Sequence, residues 1–89
     1  LENQNQSKLA ESVALLALSL GPRSAAAHDR LAELDFRRGQ RDAAIEWLKK
    51  WEKIYPTDPT PIARRALIEH ARSGPREALP TWRSTAPGE

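Results

Sequence analysis

"AAAHDRLAELDFRRGQRDAAIEWLKKWEKIYPTD", residues 25–58, holds two apolar periodic runs divided by one glycine and closed by one proline. In the second run Ala44, Ile45, Leu48, Trp51 and Ile54 recur at threes and fours, the spacing of an amphipathic helix over 41–54. Glu46 and Lys50 support its outer face at i,i+4. The first run is preceded by Ser24, a good helix cap, and stopped by Gly39 in the usual C-terminal role, which predicts a helix over 24–38. Tyr55-Pro56-Thr57-Asp58-Pro59 breaks the chain after the second run.

Outward from this unit, the pattern repeats. Shifted by 34 residues, Pro22 falls on Pro56, each just after an apolar run. Ala10 falls on Ala44 and Ala44 on Ala78; Ala14 meets Leu48, Ala17 meets Trp51 and Leu20 meets Ile54. Ala32 meets Ala66 and Leu34 meets Ile68. Any one match is cheap, but one offset recurring through two segments is not. A helix over 7–20 therefore precedes the unit, closed by Gly21-Pro22. A fourth, capped by Asp58 or Thr60 and tolerant of proline in its first turn, covers 59–72. A fifth covers 75–83 and is short or kinked, because Pro80 lies too deep for a helix to pass smoothly. No stretch alternates with period two, so the fold class is all-α.

The run "ESVALLALSLGPRSAAAH", residues 11–28, invites two other readings. Val13 to Leu20 gives only eight uninterrupted apolar or small residues, against the roughly 20 that a spanning helix needs. As a secretory signal it is poorly flanked: Glu11 abuts the run, Arg23 separates it from the alanines, and only Lys8 precedes it. A repeat helix is the better reading. Residues 1–6 are then a lead outside the fold, 7–85 the helical domain and 86–89 a tail.

Composition narrows the chemistry. In 89 residues, Lys plus Arg is 14 and Asp plus Glu 12, so the formal charge is +2. Arg37-Arg38, Lys49-Lys50 and Arg64-Arg65 are scattered and flanked by acids, as on a solvated helix face. Cysteine is absent, which excludes disulfides and thiolate metal sites and leaves the compartment open. His28 and His70 sit in no HxxxH or HxE spacing, so no metal site is expected. No Ser, His and acid set forms a nucleophile–base pattern and no glycine-rich loop precedes a helix, so neither catalysis nor a cofactor is expected.

Helix, Gly turn, helix and Pro turn in 34 residues resembles the tetratricopeptide repeat. Leu31 and Ala32 match the Leu-Gly pair of that family's first helix, Gly39 its inter-helix turn, Ala44 its small residue and Pro56 its closing proline. Two departures stand out: His28 where the family has a large aromatic, and Trp51 where it has alanine. A bulky Trp51 must spread the neighbouring helices or fill space left by smaller ones. Helix 1 resembles the second half of a preceding unit, and residues 59–85 a degenerate following one.

The resemblance implies stacked helix pairs whose first helices line a concave groove that holds a peptide or partner protein. Asp29, Arg30, Glu33, Phe36 and Arg37 would line it, joined by Arg64, Leu67 and His70. Family members that grip acidic chaperone C-termini use Lys and Asn there; Asp29 and Glu33 would repel a carboxylate. Trp47, Trp51 and Trp82, spaced with aliphatics, read as core. The leading function is thus a non-catalytic protein-interaction module. An RNA-binding helical repeat is the alternative, motivated by a pI near 9.4 and the arginine pairs; another is an accessory domain of a larger enzyme.

On the 34-residue shift, Leu15, Leu16 and Leu18 replace Lys49, Lys50 and Glu52. A helix apolar all round is expected to be covered all round. These leucines should therefore meet something beyond one folded copy, whether a second copy or a further helix.

Overall fold

The computed structural model describes residues 4–71 and 75–84. They form five helices: α1 (Gln4–Leu20), α2 (Ala25–Arg37), α3 (Arg41–Ile54), α4 (Thr60–His70) and α5 (Pro75–Ser84). The fold is all-α, as the periodicity predicts, and its packing is consistent with a small helical repeat. α1 begins at Gln4, ahead of the expected residue 7. The remainder of the expected lead, residues 1–3, and the expected tail over 86–89 lie outside the described residues.

The turns follow from local chemistry. Ser24 caps α2, its hydroxyl accepting from the Ala27 N–H at 3.1 Å. At the other end Gly39 takes φ +82°, the left-handed conformation that glycine adopts without steric cost. The Gln40 N–H then reaches the Asp35 carbonyl at 2.8 Å and the Gly39 N–H reaches Phe36 at 3.0 Å. This pair of bonds is the Schellman arrangement and ends the helix cleanly. Asp58, not Thr60, supplies the side chain at the start of α4: its carboxylate accepts the Thr60 N–H at 3.0 Å. In α5, Pro80 sits inside the helix and is exposed, at the loss of one backbone hydrogen bond.

α2 and α3 make the central hairpin. α1 packs on α2, α4 packs on α3, and α5 returns to touch both α4 and α2. Equivalent turns lie side by side: the Tyr55 hydroxyl after α3 donates to the Arg23 carbonyl after α1 at 2.8 Å. Arg23 in turn lies over the Tyr55 ring, 5.5 Å from its centroid. Ala32, Phe36, Ala44, Leu48, Trp51, Ile68, Ala78 and Trp82 build the central cluster. Trp51 is wholly buried where the repeat pattern places alanine, and the small Ala32 and Ala44 share its cluster. Its indole donates to Asp58 at 3.2 Å, which satisfies the polar end of a buried ring.

Candidate interaction site

The eight residues expected to line a partner groove do not share one open surface. Asp29, Glu33, Phe36 and Arg64 are buried. The reason is α5, which lays Trp82 against the face of α2 where a peptide was expected. The Trp82 ring stacks on Phe36 with centroids 5.9 Å apart, and Arg64 lies 5.2 Å from its centroid. Asp29 joins three helices: its Oδ1 accepts from Arg64 Nε and from Trp82 Nε1, each at 2.9 Å. Burial pushes the Asp29 carboxyl above its ordinary range, and the Arg64 charge and both hydrogen bonds pull against that rise. Arg30 and His70 remain exposed, with Arg37 and Leu67 between. Leu67 and His70 line a separate shallow groove of about 400 Å³ between α4 and α5.

The basic pairs are largely committed. Arg65 grips Glu52 with two bonds, at 2.6 and 3.2 Å, between α4 and α3. Arg38 meets Glu11 of α1 at 3.2 Å. Lys49, rather than Lys50, approaches Glu46, at 3.8 Å, and Lys50 lies 4.6 Å from the Trp47 ring centroid. His28 is buried, with Nδ1 2.7 Å from the Ser24 carbonyl and its ring edge-on to Trp47. Trp47 donates to Asp35 at 3.0 Å, while burial keeps the Asp35 carboxyl above its usual range. Among the described residues no group of three or more His, Cys, Asp or Glu could hold a metal ion. No helix among them is long and apolar enough to cross a membrane.

The open apolar surface lies on α1. Leu9, Val13, Leu16 and Leu20 are 65%, 59%, 60% and 81% exposed, and their spacing of four, three and four aligns them in one ridge. Leu15 is exposed off this ridge and Leu18 is half-buried, so the three leucines expected to act together diverge in direction. Beside the ridge runs an apolar groove of about 410 Å³ between α1 and α2. Ala10, Ala14 and Ala17 form its floor, Leu9 and Val13 one wall, and Arg30 stands on the α2 side. The ridge residues Leu9, Val13, Leu16 and Leu20 stand at i, i+4, i+7 and i+11, a period that the run of consecutive leucines masks. Comparison with family models, curated proteins and solved structures returns no match for this chain.

Proposed function

We propose that this chain is a non-catalytic protein-interaction module of the tetratricopeptide type, engaging a protein partner through the outer face of α1 and its groove with α2. One observation carries the reading: four large aliphatic side chains stand in a single exposed ridge beside an alanine-floored groove. Contiguous apolar surface of this kind marks association sites on folded proteins. The Gly39 turn, the buried Ala32 and Ala44 and the side-by-side turns at Arg23 and Tyr55 support the repeat type. The buried ionisable groups support a structural interior, since Asp29, Arg64 and His28 are tied to neighbours within the fold.

The α1 surface replaces the α2 face as the proposed site, because α5 covers the latter. The test is capture of partners, from an extract of the cells that express this protein, by the wild-type chain and by a Val13→Glu, Leu16→Glu, Leu20→Glu variant. The module reading expects specific partners on the wild type that the variant loses. Identical capture by both would remove α1 as the site. Self-association through the same ridge is the second reading; it expects a sedimentation coefficient that rises with concentration for the wild type and stays constant for the variant. The RNA reading is weakened by the ion pairs of Arg38, Arg64 and Arg65; it would require binding that falls steeply with salt.

A further inference from the structure

We infer that the α1/α2 groove seats an amphipathic helix patterned like α2, carrying a carboxylate for Arg30, a small residue three positions later and a large apolar residue seven positions later. This rests on the interaction-module reading and names the partner's chemistry. The chain carries a filled counterpart of this groove. Moved forward by 34 residues, Ala10, Val13, Ala14, Ala17 and Arg30 of the groove become Ala44, Trp47, Leu48, Trp51 and Arg64 of α3 and α4.

That second surface is filled, and α2 fills it. Ala44, Leu48 and Trp51 share one buried cluster with Ala32 and Phe36 of α2. Trp47 meets the His28 ring at a centroid distance of 5.9 Å and donates to Asp35. Arg64 binds Asp29 at 2.9 Å. The fold thus shows once, in full, what a helix looks like on this kind of surface. On α1 and α2 the same surface is repeated and open. α1 packs on α2 as α3 packs on α4, so the two surfaces have the same construction.

Arg30 supplies the charge term. It is the 34-residue counterpart of Arg64, but its side chain is 56% exposed and its ion pair with Glu33 is long, at 3.8 Å. A carboxylate arriving on a docked helix would give it the partner that Asp29 gives Arg64. The α2 pattern is Asp29, Ala32 and Phe36 on one face, which defines the spacing required of the incoming helix. A second copy of this chain meets it poorly. Its own α2 face is already buried, and on the same shift α4 carries Ala63 in place of Asp29 and His70 in place of Phe36. Glu11 of α1 is engaged by Arg38.

The probe is a synthetic peptide of residues 24–38, with A26E and R30K joined as a lactam on its outward face to hold the helix, its helicity checked by circular dichroism. It is titrated into the isotope-labelled full chain and followed by NMR. The expected result is saturable shifts along Leu9 to Ala17 and at Arg30, weakened tenfold or more by Val13→Glu or Arg30→Glu in the domain. A peptide with Asp29→Lys should bind the Arg30→Glu domain better than the unmodified peptide does. Shifts centred on Trp47, Arg64 and Trp82 would mean exchange into the place of α2 and would overturn the inference. So would a helical peptide that fails to bind, binding indifferent to the charge exchange, or the same shifts produced by raising domain concentration alone. If the peptide fails while partner capture still depends on Val13, Leu16 and Leu20, the module reading stands and this occupant falls.

Discussion

Asp29 and Arg64 show how one buried pair can decide which surfaces a small helical protein leaves open. A guanidinium taken out of water needs its charge answered in place, since arginine does not release its proton in proteins. Asp29 answers it at 2.9 Å and binds Trp82 with the same oxygen, so a single carboxylate ties α2, α4 and α5 together. Removing only one partner strands a buried charge, which costs about 3–5 kcal/mol. Asp29→Leu alone should therefore lower stability to urea by about that much. Adding Arg64→Met should restore most of the loss, because well-packed apolar replacements of buried pairs are often close to neutral. The Trp82 N–H would still lack its Asp29 acceptor, leaving a residual cost of about 1–2 kcal/mol. Additive losses in the two single variants and the double would contradict this account.

At the scale of elements, the start and stop signals were readable because they act within a few residues. Ser24, Gly39 and the Pro56 turn do what their chemistry dictates, and α3 lies over the predicted 41–54. Asp58 is a further case of such local control. Its carboxyl is held below the ordinary range chiefly by the Thr60 N–H, against desolvation, with the Thr60 side chain and the Trp51 indole also helping. A lowered carboxyl pKa means that the ionised form favours the folded state. Its stabilisation is present above the unfolded value and lost as pH falls through the folded one. Asp58→Ala should cost about 1 kcal/mol at neutral pH, the usual worth of a residue that holds a helix start. The gap between variant and wild type should narrow as pH drops below about 4. Urea unfolding at pH 7 and pH 3 measures both; a gap that widens on acidification would reverse the sign argued here.

For the whole molecule, what stayed illegible was long-range. The 34-residue offset ordered the helices in sequence, but α5 carries too little of the pattern to say where it lands. The repeat pattern therefore predicts a groove on α2 where Trp82 in fact sits, and Phe36, expected to line that groove, is core. The apolar character of α1 was plain, yet which leucines project could be settled only once Ala14 was buried against the rest of the fold. The arrangement makes α5 a keystone rather than an appendage, because it packs on both α4 and α2 and its Trp82 meets Arg64 and Asp29. Truncating its buried anchor, Trp82→Ala, removes the stack on Phe36, the cover over Arg64 and the second donor to Asp29. Such a change costs about 3–5 kcal/mol in a well-packed core, a large part of the 5–15 kcal/mol that a domain commonly holds. Thermal unfolding of Trp82→Ala should shift down by more than 10 °C, taking about 4–8 °C per kcal/mol for a domain of this size. The Arg64 and Asp29 amide protons should exchange faster in the same variant, while those of α1 change least. A small shift with α1 affected first would make α5 dispensable and would return the α2 face to consideration as an open groove.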